Sequence, residues 1–292
     1  MRKENLLSSN RLFIPVKITD KKWADKLMQG EVYMRSLHEF GSWGDVQDKD
    51  TSLKNNYRAD FYSGVTAVFA SPDDCKDFSS FSEDVKKRMQ NCCYIDESDI
   101  QYFKIYSLYC YELNDAKRGF RIPDARMRQF GDTAVLIVDF CEFLERYAEA
   151  LFARYPQVIS LINRVQLFDF HKTAMLNPLF CKHISQGYQN ELRLAFGELG
   201  YDKFSIKPKE SKGELVRNYN PVTLQIGNIS DIAVEVPIYD FMTGRLPRGF
   251  KCRWPSNDPP LNPSNYDSLV QWTQDQMNNY HSIFVKAAFK IV

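Results

Sequence analysis

The segment KHISQGYQNELRLAFGEL, Lys182 to Leu199, constrains the fold more than any other, because it sets one carboxylate inside what otherwise reads as a buried strand. Strict alternation from Gln189 places Gln189, Glu191, Arg193 and Ala195 on one face and Asn190, Leu192, Leu194 and Phe196 on the other. The apolar set demands a core. Glu191 is then fixed on a rigid element between an amide and a guanidinium, which holds it in one ionisation state and one direction, as an active-site acid or acceptor requires. A Glu191/Arg193 pair on a solvated strand face is the other reading of the same residues.

Of the 292 residues 44% are hydrophobic, including 21 Phe and 16 Tyr, which is enough for a large core in one elaborated domain. Lys+Arg 38 against Asp+Glu 37 leaves a net charge of +1, so attraction to nucleic acid would have to come from a local patch. The cysteines, Cys75, Cys92, Cys93, Cys110, Cys141, Cys181 and Cys252, form no C-x-x-C and no regular framework, which points to reduced thiols. The first thirty residues hold no apolar signal core, and no run is long enough to span a membrane. A cytoplasmic protein is expected. His38, His171, His183 and His281 show no ligand spacing, so no metal site is expected.

RLFIPVKI reads as a first strand, Thr19-Asp20 as a cap, and DKKWADKLMQG as a short helix with Trp23, Leu27 and Met28 on its apolar side and Gly30 as its stop. VYMRSLHEF follows as a strand or strand-turn and supplies the second strand of the unit. The polar stretch from Gly41 to Tyr57 reads as a mobile surface loop over the cleft, closed by Arg58-Ala59-Asp60. FYSGVTAVFA, QYFKIYSLYCYEL, TAVLIVDF and VISLINRVQLFDF read as strands, SEDVKKRMQN and CEFLERYAEALFARY as helices, with a further helix within Phe170 to Phe180. VTLQIGN and IAVEVPIYD are short strands. In the basic loop after them, Arg248, Lys251 and Arg253 alternate with Phe250 and Trp254, a pattern that single-stranded nucleic acid or a nucleotide favours. The sum is an α+β chain with a mixed, mostly antiparallel sheet core and peripheral helices. Residues 1–240 form the main domain, and 241–292 add the basic loop and a C-terminal helix.

Two sets of residues carry a resemblance. Val16-Lys17-Ile18-Thr19 with Gly30, and the later Gln189-Asn190-Glu191, resemble the ADP-ribosyltransferase superfamily, especially its bacterial toxin-like and defence-associated branches. Arg58 to Asp60, Tyr188 to Arg193 as Y-Q-x-E-x-R, and Ile226 to Ile232 resemble a family of uncharacterised bacterial proteins over most of residues 11 to 236. Lys17 stands where many transferases carry His or Arg, and Tyr33-Met34-Arg35-Ser36 partly replaces a Ser-Thr-Ser strand.

The resemblance implies an ADP-ribosyltransferase-like sheet that takes NAD as a substrate without a metal. Glu191 and Arg58 would be catalytic, and Lys17, Thr19, Tyr33, Ser36, Tyr188, Gln189 and Arg193 would line the dinucleotide. ADP-ribose would pass to a protein or nucleic-acid acceptor, or NAD would be hydrolysed, in a toxin or anti-phage defence role with a partner protein. Cleaving the nicotinamide–ribose bond develops oxocarbenium charge, which one carboxylate offsets. The diphosphate calls for a cation from Lys17, Arg35 or Arg58, and Tyr33 or Tyr188 could stack on the nicotinamide. Two other readings stand beside this one: a non-enzymatic module that senses a nucleotide or a partner in the same cleft, and a metal-independent ribonuclease toxin using His171, Lys172 and His183.

Overall fold

The computed structural model describes residues 13–42, 64–75, 82, 84, 87, 92–95, 99–114, 119–156, 158–198 and 218–246. In chain order these form β1 (Phe13–Thr19), α1 (Lys21–Met28), β2 (Glu31–Ser36), α2 (Leu37–Ser42), β3 (Val65–Phe69), β4 (Cys92–Ile95), β5 (Lys104–Asn114), β6 (Gly119–Phe120), β7 (Thr133–Ile137), α3 (Phe140–Arg154), β8 (Ile159–Arg164), β9 (Gln166–Phe168), β10 (Ala174–Met175), β11 (Cys181–His183), β12 (Glu191–Gly197), β13 (Val222–Gln225), β14 (Ala233–Pro237) and α4 (Ile238–Met242). Arg58, the loop from Trp43 to Tyr57, the basic loop from Arg248 to Trp254 and the C-terminal helix lie outside the described residues, as does most of SEDVKKRMQN. The expected division at 240/241 passes through α4.

The chain is α+β, with a mostly antiparallel sheet and few helices among the described residues. Nine strands join in the main sheet, in the order β13-β2-β5-β1-β7-β14, with β12 and β6 also on β5 and β8 beyond β12. β5 organises it, because its alternating aromatics supply both faces of a long strand. Lys104 and Ile105 pair with both β12 and β2, while Tyr109 pairs with both β12 and β1. A residue has one neighbour on each side, so β1 and β2 share the edge of β5 that β12 does not use. They take different ends of that edge and diverge over Tyr106 to Leu108. The sheet forks there.

Each face of the sheet is covered. Leu108, Leu192, Leu194 and Phe196 pack beneath Ala24 and Leu27 of α1 and Phe143, Leu144, Tyr147 and Leu151 of α3. On the reverse face Ile14, Val16, Tyr109, Tyr111 and Leu136 pack with Phe241 of α4, and Ile105 and Ala195 pack with Leu179 and Phe180. Fully burying one such Leu or Phe contributes about 1.5 to 3 kcal/mol, so these layers fix the register of the strands. α3 starts where the Asp139 carboxylate accepts from the Glu142 backbone N–H at 3.0 Å.

Three local expectations are corrected. Asp20 makes no side-chain cap for α1; Asp132 Oδ1 accepts from Lys21 N instead, at 2.7 Å. The buried stripe of α1 is Ala24 and Leu27, and Trp23 is 41% exposed. Of the two forms expected for VYMRSLHEF the strand-turn is found: β2 ends at Ser36, where Leu37 N turns to the Phe103 carbonyl and α2 begins. Residues Phe170 to Phe180 form turns and the short β10 rather than a helix, consistent with Pro178 disfavouring helical geometry at Asn177. Gly30 does end α1: it has φ +95°, and a Cβ there would meet the Gly227 carbonyl oxygen at 2.1 Å.

Candidate functional site

The site begins at a backbone irregularity. Asn190, in the left-handed region at φ 37°, ends the 3₁₀ helix Ile184–Gln189 and starts β12. Asn tolerates this conformation better than most residues. Gln189 therefore lies in the turn, not in the strand as its alternation suggested, and reaches the site by another route. Its Oε1 accepts from Lys182 Nζ at 2.5 Å, and its Nε2 donates to Gln186 Oε1.

Glu191 is 7% exposed and carries contacts on both oxygens. Lys182 Nζ lies 2.6 Å from Oε2, Arg193 Nε lies 2.6 Å from Oε1, and Ser107 Oγ donates to Oε1 at 2.5 Å. Arg193 also donates Nη1 to the Leu179 carbonyl at 2.9 Å. Burial opposes ionisation of Glu191, but the Arg193 and Lys182 cations outweigh it and hold the carboxyl well below its ordinary range. A solvated strand pair is thus overturned: the Arg193 and Glu191 side chains are both buried.

Lys17 approaches from the other side of the sheet. Val16 pairs with Tyr109, which pairs with Glu191, so Val16 shares the face of Glu191 and the neighbouring Lys17 points to the opposite face. Its Nζ donates to the Ser107 carbonyl at 2.9 Å in the fork and lies 4.3 Å from the centroid of the Tyr106 ring. Ser107 is the joint between the two: its carbonyl takes Lys17 and its hydroxyl serves Glu191.

The remaining expected residues are engaged differently. Tyr188 lies beneath the Arg126 guanidinium, 3.8 Å from its ring centroid, and Asp124 holds that guanidinium through bonds of 2.9 and 2.8 Å. Tyr33 stacks on Trp23 at 5.9 Å, with the Arg35 guanidinium 5.3 Å from the Tyr33 ring. Thr19 pairs with Thr133 at the end of β1, and Ser36 is fully buried at the end of β2. The cluster that forms is Glu191, Arg193 and Gln189, completed by Ser107 and Lys182. Sequence reading missed the last two as site residues. Lys182 was visible as a cation flanking the strand, and Ser107 as a hydroxyl among the aromatics of β5.

A second ion-pair cluster, in which only the carboxylate is buried, adjoins the first through Asn190. Glu112 accepts from Arg164 Nη2 at 2.6 Å and from Arg121 Nη1 at 3.0 Å, and Arg164 also donates to Asn190 Oδ1 at 2.6 Å. Burial opposes the Glu112 charge, and Arg164 reverses the balance so that the carboxyl is lowered. His183 has a packing role: its ring stacks on Phe170 at 5.2 Å, and Nδ1 lies 2.9 Å from Ser185 Oγ at the start of the 3₁₀ helix. His171 is exposed. Among the described residues no group of three His, Cys, Asp or Glu could hold a metal, and no helix is long and apolar enough to cross a membrane. Compared with known proteins, the chain matches no family model, no curated protein and no solved structure.

Proposed function

We propose that the protein binds NAD or a related nucleotide on an ADP-ribosyltransferase-like frame and holds that ligand as a sensing module rather than cleaving it. The observation that supports this is the state of Glu191. Both of its oxygens are committed to Lys182, Arg193 and Ser107, so the carboxylate ties β5, β11 and β12 together. Catalysis through charge needs a carboxylate aimed at the reacting carbon, and one already matched by two cations has little to give an oxocarbenium ion. Support for the ligand comes from the resemblance and from the fork, where Lys17 brings an ammonium to the Ser107 carbonyl. A toxin or anti-phage defence setting, with a partner protein, rests on the resemblance alone.

One observation favours ADP-ribosyl transfer or NAD hydrolysis as a second reading. The Ser107 hydroxyl bonds Glu191 Oε1 as a ribose hydroxyl would, so a substrate could take its place. Calorimetric titration of the full-length protein with NAD, paired with an assay for released nicotinamide, decides between them. Saturable binding without nicotinamide is the expected result. Release of nicotinamide moves the conclusion to the transferase reading, and neither binding nor release ends the nucleotide reading.

A further inference from the structure

We propose that Lys104 and Ser36 form a buried receptor for a small oxyanion, a carboxylate or a phosphate, on the face of the sheet opposite Glu191. Lys104 is 0% exposed, and it makes no ion pair among the described residues. Its ammonium donates to the main-chain carbonyl of Asn218. A lysine removed from water is ordinarily matched by a carboxylate, because an isolated ammonium in an apolar setting is costly.

The same face of the sheet adds two buried hydroxyls. Ser36 stands directly opposite Lys104 in the β2–β5 register, is fully buried, and its hydroxyl has no hydrogen-bond partner. Directly opposed residues hold their Cβ atoms about 5 Å apart on one face, which makes this hydroxyl a neighbour of the lysine stem. Tyr106, on the same face two residues along β5, has a buried hydroxyl that is also without a partner. Phe196, opposite Lys104 on β12, stacks on Tyr155 at 5.7 Å and keeps the environment apolar. The Lys104 ammonium thus bonds one neutral carbonyl, and two buried hydroxyls without a partner lie on the same face of the sheet.

That carbonyl belongs to a surface turn. Asn218, Tyr219 and Asn220 are exposed on their outer side, with Tyr219 stacked on His38 at 4.3 Å and 4.7 Å from Tyr102. An oxyanion reaching Lys104 replaces the Asn218 carbonyl and adds the attraction of opposite charges to a bond that the ammonium alone now assists. Burial lowers the Lys104 pKa to about 8, as expected for an ammonium short of negative charge, while Glu39 of α2 acts in the opposite sense. Glu39 is itself 3.4 Å from Arg35, and His38, Tyr102, Tyr219 and Tyr106 are further titratable groups on the described residues here. Lys104 takes no part in the nucleotide reading, so this site stands without it, although Ser36 is among the residues the resemblance implied and Tyr106 lies under Lys17.

The test is thermal melting of the full-length protein at pH 7 in inorganic phosphate, acetate or chloride at equal ionic strength. Phosphate or acetate is expected to raise the Tm saturably where chloride does not, and the better of the two names the headgroup. Lys104→Met keeps the stem and removes the charge, so the anion-specific rise should vanish in a folded variant. Ser36→Ala should weaken the apparent affinity by about tenfold. Identical melting in the three salts, or an undiminished rise in Lys104→Met, overturns the proposal. Should Lys104→Met fail to fold, the Lys104 ammonium is titrated by NMR in the parent. Phosphate must move its midpoint upward from about 8, and an unmoved midpoint also overturns it.

Discussion

Lys182 and Glu191 meet at 2.6 Å where neither side chain is more than a tenth exposed, so the pair bolts β11 to the start of β12 across the 3₁₀ helix between them. A buried pair of this kind contributes modestly as a pair, yet removing one partner strands the other charge. Geometry, more than net energy, is what it secures.

Glu191→Gln is therefore expected to cost about 3 to 5 kcal/mol of stability, read as a lowered urea midpoint, because Lys182 and Arg193 lose their shared counter-charge. Adding Lys182→Met to that variant should recover part of the loss. A single variant as stable as the parent would show that the cluster does not carry this load. The depressed Glu191 carboxyl adds a pH signature: its contribution is complete at neutral pH and is lost as pH falls below its ordinary value of 4.5.

Asp139 behaves in the opposite sense. Burial raises its carboxyl to about 6 at the N-terminus of α3. The folded state then holds a proton that the unfolded chain has released, so stability falls as pH rises from about 4 to about 6. Asn retains the capping oxygen without the charge. Asp139→Asn should match the parent at pH 4 and exceed it at pH 7 by about 1 to 3 kcal/mol in urea denaturation. Equal stability at both pH values would remove the burial penalty from the account.

At the alkaline end Lys104 and the buried tyrosines oppose each other. With its pKa lowered to about 8 against 10.5, Lys104 holds fewer protons in the folded state, and stability should rise through that window. Burial raises Tyr106 and Tyr147, which keep protons that unfolded tyrosines lose, so stability should fall once pH passes about 10. Urea midpoints measured between pH 7 and 11 should show a maximum in the parent. In Lys104→Met the rising limb should be missing, and its persistence there would assign it to another group.

Some of this was legible in the sequence and some was not, for reasons of range. Leu192, Leu194 and Phe196 announce a buried strand because alternation is a local property, and they carried the orientation of Glu191 with them. Gln189 broke the pattern because Asn190 takes a left-handed conformation that alternation cannot register. The α1 helix offered overlapping stripes, and Ala24 with Leu27 won over Trp23 once the sheet lay beneath it. Ser107 joins Glu191 across 84 residues, and Lys17 joins Ser107 across 90, so neither contact has a local signal. The fork is set by which stretch of β5 each strand pairs with, and that depends on tertiary packing. It turned Lys17 away from Glu191 and made the two serve different faces.

The same fork supplies the sharpest test of where a nucleotide would sit. Lys17 is half-buried and donates to the Ser107 carbonyl where β1 and β2 leave β5. Methionine preserves most of the stem packing over Tyr106 and removes the ammonium, so the fold should survive with a Tm within a few degrees of the parent. A charge-assisted bond to a diphosphate contributes about 1.5 to 3 kcal/mol. NAD affinity in Lys17→Met should accordingly fall by about 10- to 100-fold, measured by calorimetry beside a melting curve. If NAD binds the parent and Lys17→Met equally well, the nucleotide does not lie in the fork. If both affinity and melting temperature collapse together, Lys17 is a strut for β1 rather than a ligand contact, and the binding assignment moves away from it.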